Sequence, residues 1–123
     1  TGRSDFPNQI NNSIGFPGIF RGTLDVQAKT ITDEMAISAA YAIAETAEKN
    51  GLRDDYVVPT MSEWEVFINQ AVAVGLKAIE QGIARRPLTA DQLRESAFQR
   101  IKYARNFVDV CQKNGLIPMP PEE

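Results

Sequence analysis

Four segments of this chain carry the start and stop signals of α-helices, whereas only a trace of the sequence has the character of a β-strand. The first predicted helix runs from about Pro17 to Gln27, because proline suits a first turn, where its missing N–H costs nothing. The strand-like trace is the short apolar piece Tyr56, Val57 and Val58. No internal repeat is present. The sequence therefore predicts a mostly α chain of about four helices.

The second predicted helix has a clear signal at each end. Thr32 is the expected N-cap, and Asn50 followed by Gly51 is a typical C-terminal stop. The alanines of this segment make the helix thin, which favours close packing against neighbours. We therefore interpret it as a buried central helix.

The last two predicted helices begin at capping-box pairs, in which a hydroxyl residue precedes Glu or Gln by three positions. For the third helix two such pairs compete, Thr60 with Glu63 and Ser62 with Glu65, and the helix reaches about Gln81. The fourth spans about residues 90–113, and its spare apolar width could face a second subunit. Its apolar positions recur every four and three residues, as in a helix lying along another helix, and are Leu93, Ala97, Ile101, Ala104, Val108 and Cys111.

The composition alone argues against several classes of function. A net charge of −3 argues against nucleic acid, which normally needs a basic face. The chain has no histidine, so imidazole catalysis and a histidine-ligated metal are excluded. With Cys111 alone no disulfide can form within the chain, which fits a reducing cytoplasm. No apolar run approaches the ~18 residues of a membrane span. Because the chain opens at Thr1 rather than at methionine, we interpret it as a fragment or a processed product.

The first 22 residues are the most distinctive stretch of the chain. Four amides, Asn8, Gln9, Asn11 and Asn12, lie on a turn-rich segment between glycines and prolines. Such amides either cap neighbouring backbone in a surface turn, or orient a ligand through their neutral donors and acceptors. A second candidate for anion binding is the arginine pair 85–86, which more commonly solvates a turn.

The same stretch resembles a known family. The run TGRSDFPNQINNSIGFPGIFRGTLDV is similar to a segment of bacterial and archaeal malic enzymes, and the likeness continues through TITDEMAISAAYAIAE, YVVP and GIARRP. The resemblance covers residues 1–87, and residues 88–123 form a C-terminal helix and a proline-rich tail. It implies the C-terminal helical end of an α/β Rossmann-type NAD(P)-binding domain.

The resemblance also implies a reaction and a set of site residues. Malic enzymes oxidise and decarboxylate malate to pyruvate with NAD or NADP and a divalent metal, Mg²⁺ or Mn²⁺. Asn11 and Asn12 match the pair that faces the substrate, and Gly2, Arg3 and Ser4 match a loop near the cofactor. The family's acid, base and metal ligands match no position of this chain, so we expect the 123 residues alone to be inactive. The family is usually homodimeric.

A second hypothesis belongs to a different functional class. The chain would then be a non-catalytic oligomerisation or regulatory module of malic-enzyme ancestry. It would fold as a self-associating helical unit that ignores both malate and dinucleotides.

Overall fold

The computed structural model describes residues 5–119, and within them four helices account for the architecture. They are α1 (Asn12–Asp25), α2 (Asp33–Lys49), α3 (Glu65–Glu80) and α4 (Ala90–Lys113). In the described part of the chain, strand-like pairing is limited to two isolated bridges, Ala28 with Ala84 and Arg53 with Tyr56. The predicted mostly α chain of four helices is confirmed. None of the described helices is long and apolar enough to cross a membrane.

Most of the predicted helix ends are also confirmed. Thr32 Oγ1 accepts a hydrogen bond from Met35 N at 3.2 Å, which caps α2. Thr89 and Gln92 form a full capping box at the start of α4. A glycine with positive φ follows each of α2, α3 and α4, which is typical of a helix C-terminus. These glycines are Gly51, Gly82 and Gly115.

Two predicted helix starts are wrong. Helix α1 begins at Asn12, five residues before Pro17, because the side chain of Asn11 already caps it there. Proline therefore lies inside the helix and removes one backbone donor from it. Helix α3 begins at Glu65 without a side-chain cap. The Thr60–Glu63 pair instead closes a turn ahead of the helix, since Glu63 Oε2 accepts from Thr60 N at 2.7 Å.

The central helix is α3 rather than the alanine-rich α2. Helix α3 contacts each of the other three helices, whereas α2 leaves Ile37 and Tyr41 exposed on its outer side. The interpretation of α2 as the buried centre is therefore wrong. Alanines permit close packing on any side of a helix, but they do not by themselves require burial on every side.

Glycines let the helices approach one another closely. A Cβ on Gly22 of α1 would lie 2.5 Å from the carbonyl oxygen of Ala71 in α3. A Cβ on Gly75 of α3 would in turn lie 2.9 Å from the methyl groups of Leu93 in α4. The fully buried cluster around these contacts includes Val26, Met35, Ala39, Val74, Ala78 and Leu93. Since Ile19 of α1 packs against this cluster, side chains from all four helices share one core.

Helix α4 follows that core for only part of its length. Leu93 and Ala97 are fully buried, and Phe98 and Ile101 pack against the start of α3. From residue 102 to residue 110 every position is exposed. Of the predicted seam, Leu93, Ala97 and Cys111 are buried and Ile101 is partly buried, whereas Ala104 and Val108 contact solvent in this structure.

Candidate functional site

The amide-rich stretch forms an ordered loop that leads into the N-terminus of α1. Asn8 is clamped to the loop between α2 and α3, because its Nδ2 donates to Asp54 O at 2.9 Å and its Oδ1 accepts from Val57 N at 2.7 Å. Its φ of 58° lies in the left-handed region, which asparagine tolerates better than most residues. Asn8 therefore fixes the path of the backbone that carries Asn11.

Asn11 has a defined side-chain orientation. Its Oδ1 accepts a hydrogen bond from Ser13 N at 3.0 Å, and its extended backbone (φ −138°, ψ 147°) is that of an N-cap. Because a backbone N–H can only donate, the capping atom must be the amide oxygen. The NH₂ group of Asn11 therefore points away from the helix and remains a donor. Both Asn11 and Asn12 are exposed.

The start of α1 is attached to the central helix by a buried amide. Gln70 of α3 is fully buried, and its Nε2 donates to Ile14 O at 2.7 Å. Its Oε1 has no hydrogen-bond partner among the described residues. Gln70 thus holds the first turn of α1, and with it the cap residue Asn11, at a fixed position on α3.

The local field at this helix start favours an anion. The first turn of α1 contains no acidic residue, and its unpaired backbone N–H groups carry a partial positive charge. An outward-pointing amide donor beside such a helix end can bind a carboxylate without introducing a full charge. The predicted cofactor residues Gly2, Arg3 and Ser4 lie outside the described residues.

A second polar cluster joins the end of α2 to the start of α3. Glu63 accepts hydrogen bonds from the Tyr56 hydroxyl at 2.5 Å and from Asn50 Nδ2 at 2.9 Å, in addition to those from Thr60. Desolvation pushes the pKa of Glu63 upward, but the hydrogen bonds outweigh it and hold that pKa below its usual value. Desolvation, followed by the bond to Glu63, raises the pKa of Tyr56. Both carboxylate oxygens of Glu63 accept hydrogen bonds from within the cluster. We therefore interpret the cluster as a structural tie between the end of α2 and the start of α3.

Next to this tie lies a surface groove of about 580 Å³ between α2, α3 and α4. Its wall includes Trp64 and Phe98, whose ring centroids are 5.6 Å apart. Trp64 is therefore part of the packing between α3 and α4. Neither Asn11 nor Asn12 lines this groove.

The described part of the chain contains no cluster of side chains suited to a metal ion. Within residues 5–119, no group of three Cys, Asp or Glu side chains lies close enough together to hold an ion. A divalent metal, which the family resemblance implies, finds no such ligand group among these residues. No catalytic step through a metal is derived for this chain.

Two residues that organise the loop did not stand out in the sequence. Asn8 was one of four clustered amides, and only its position after Pro7 hinted at a turn conformation. Gln70 had a clearer signal, since it lies three residues after Phe67 and four before Val74, on the apolar stripe of α3. A polar residue on such a stripe indicates a buried hydrogen bond, although not its partner.

Known proteins resemble this chain along most of its length. Residues 1–80 match the family model described as malic enzyme, NAD binding domain. The bifunctional malic/malolactic enzyme of Bacillus subtilis is 47% identical over 95 residues, which are 77% of this chain and 23% of that protein. An NADP-dependent malic enzyme of Rhizobium meliloti is 43% identical over 103 residues, 72% of this chain and 13% of that protein.

A solved structure gives the same result in three dimensions. The malic enzyme of Entamoeba histolytica superposes with a TM-score of 0.93 at 47% identity, covering 98% of this chain and 25% of that one. The four-helix arrangement, including the full length of α4, therefore recurs in a crystal structure. The chain spans at most about a quarter of the length of these relatives.

Proposed function

This chain belongs to the malic enzyme family, and we propose that it is the part of such an enzyme that presents a substrate-facing asparagine loop. The complete enzyme would convert malate to pyruvate and CO₂ with NAD or NADP, as a cytoplasmic homodimer. The four helices would form the helical end of its Rossmann-type domain. The acid, base and metal ligands would come from the remainder of the polypeptide.

The orientation of the Asn11 amide carries this proposal. Its oxygen is engaged by Ser13 N, which leaves the NH₂ group directed outward at the N-terminus of α1. Two anchors, Asn8 and Gln70, hold the loop and the first turn in place. A preorganised donor of this kind binds a carboxylate without first losing conformational freedom.

The chemistry of hydride transfer favours a neutral donor at this position. Oxidation of malate transfers a hydride to the nicotinamide ring, which carries a positive charge before the transfer. A lysine or arginine beside that ring would repel the cationic oxidised form, whereas an amide orients the carboxylate without such repulsion. Asn11 would hold the substrate, and Asn12, at the first position of the helix, would lie beside it.

Substitutions at Asn11 can separate substrate binding from helix capping. Ser and Asp are as good N-caps as Asn, so Asn11→Ser and Asn11→Asp retain the acceptor for Ser13 N but lose the NH₂ donor. A hydrogen bond to a charged group contributes about 1.5–3 kcal/mol, so we expect kcat/KM for malate to fall at least ~10-fold in Asn11→Ser. The fall should be larger in Asn11→Asp, because the new carboxylate repels malate.

The measurement is steady-state kinetics of NAD(P)H formation by the full-length enzyme, together with its melting temperature. The KM for the dinucleotide should stay within about twofold of the wild-type value. Thr89→Ala is the matched control, because it removes the cap of α4 and lowers stability by about 1 kcal/mol without touching the loop. If Asn11→Ser and Asn11→Asp keep the wild-type kcat/KM for malate, the substrate role of Asn11 is wrong.

The same assay distinguishes the alternative of a non-catalytic helical module. Full-length protein carrying this chain should produce NAD(P)H only when malate is present, and the 123 residues alone should produce none. A full-length protein that neither turns over malate nor binds a dinucleotide would support the helical module and refute the enzyme assignment.

A further inference from the structure

The second half of α4 extends beyond the helices that support its first half. Leu93 packs at Gly75 and Phe98 at Trp64, so α4 runs antiparallel to α3 and passes the start of that helix near Ile101. Residues 101–113, which we name the α4 overhang, continue for about 18 Å of helix. An isolated helix of this length is marginal in water, so its folding requires tertiary support.

The overhang is divided into an apolar half and a polar half. At 100° per residue, seven residues fall within one arc of about 180°. They are Ile101, Tyr103, Ala104, Phe107, Val108, Val110 and Cys111. The remaining residues, all polar, occupy the other half and are Lys102, Arg105, Asn106, Asp109, Gln112 and Lys113.

Apart from Cys111, which is buried, and Ile101, which is partly buried, the apolar half is open to solvent in this chain. Tyr103 is 74% exposed, Phe107 62% and Val110 55%. Leu116 and Met119, which follow the helix, are similarly exposed. Large apolar side chains exposed along one side of a helix mark an interaction surface rather than the scattered exposure of single residues. An apolar arc of about 180° is wider than one neighbouring helix covers, so it fits a groove between two elements.

The position of the overhang indicates which part of the protein covers its apolar half. Helix α1 starts at the same end of the bundle, because Ile14 binds Gln70 near the start of α3 and Asn8 binds the loop that precedes α3. The chain therefore approaches α1 at the end of the bundle from which the overhang extends. The Entamoeba malic enzyme retains this arrangement and is about four times as long as the present chain.

We propose that the apolar half of the α4 overhang docks on the part of the same malic enzyme polypeptide that precedes residue 1. The partner surface is an apolar groove formed by two secondary-structure elements, with the polar half of the overhang left in solvent. The overhang thereby ties α4 to the part of the polypeptide that leads into the Asn11 loop. This inference rests on the proposed function, since it requires the remainder of the enzyme.

A photo-cross-linking experiment on the full-length protein tests the proposal. The variant Phe107→p-benzoylphenylalanine places a light-activated aromatic probe on the apolar half at little cost in shape. Asp109→p-benzoylphenylalanine is the matched control on the polar half. On irradiation we expect the probe at Phe107 to link to residues upstream of Thr1 in the same subunit, at unchanged subunit mass, with at least a tenfold higher yield than the probe at Asp109.

The other outcomes overturn the proposal. A product of doubled mass would show that a second copy covers the overhang, and equal yields at the two positions would show that solvent does. Hydrogen exchange provides an independent check, because amides 102–110 should exchange as slowly as those of α3. Malate turnover measured on the same preparation keeps the two proposals separate. Cross-linking without turnover would refute only the proposed malic enzyme function. Turnover without cross-linking would refute only the docking of the overhang.

Discussion

The contact between α1 and α3 depends on the absence of a side chain at Gly22. In Gly22→Ala the new Cβ would lie 2.5 Å from Ala71 O, 2.9 Å from Val74 Cβ and 3.0 Å from Gly75 N. Two of these three atoms belong to the α3 backbone, so a change of side-chain rotamer cannot relieve the clash. The two helices would have to move apart and loosen the core around Val26.

The magnitude follows from two opposing effects. Replacing a helical glycine with alanine favours folding by about 0.5–1 kcal/mol, whereas overpacking a tight contact costs typically 1–3 kcal/mol. Because the clash is with backbone, we expect the upper part of that range and a net loss of about 1–2 kcal/mol. For a chain of 123 residues this lowers the melting temperature by roughly 3–10 °C.

Gly15 of the same helix offers a matched control. A Cβ there would have nothing within 4 Å, so Gly15→Ala brings the helix-forming gain without a clash and should stabilise by about 0.5–1 kcal/mol. Urea-induced unfolding, monitored by the fluorescence of Trp64, gives both free energies. If Gly22→Ala were as stable as Gly15→Ala, the close approach of α1 to α3 described here would be wrong.

Four further substitutions, at three residues, test the polar contacts. Gln70→Met removes an unpaired acceptor together with a donor, so the free energy of unfolding should change by less than about 1.5 kcal/mol. Gln70→Glu should lower that free energy by about 3–4 kcal/mol at pH 7, because it buries a carboxylate without a cation. The loss should shrink towards pH 4, as the new carboxylate becomes protonated. Glu63→Gln should flatten the loss of stability below pH 4.5: the pKa of Glu63 is lowered in the folded protein, so its stabilising contribution is present above pH 4.5 and disappears as the pH falls through the folded pKa. A parallel acid titration of both proteins by circular dichroism would refute this if the two curves coincided. Tyr56→Phe should reduce the fall in stability above pH 10, because the raised pKa of Tyr56 makes the folded state lose stability as its phenol is deprotonated. Coinciding alkaline titration curves of the variant and the wild-type protein would contradict this.

The sequence by itself determined the class of the fold and most of the helix ends. Signals of that kind are local: Thr32 caps its own helix, Thr89 and Gln92 are three residues apart, and Gly51, Gly82 and Gly115 adopt a conformation that the adjacent chain requires. Family membership was also readable from the sequence, because the first 22 residues carry a long specific motif. Such features depend on neighbours in the chain, and no knowledge of the tertiary packing is needed to find them.

Only the tertiary structure decided which helix is central and where the site is anchored. Helix α3 takes that position through Gly22 and Gly75, whose significance depends on the atoms that face them from other helices. Asn8 and Gln70 hold the Asn11 loop through partners 46 to 56 residues away in the chain. The apolar pattern of α4 predicted burial along its whole length, but periodicity does not reveal where the supporting helix ends. Contacts between distant residues depend on how the helices are arranged in space, and the local signals in the sequence do not contain that arrangement.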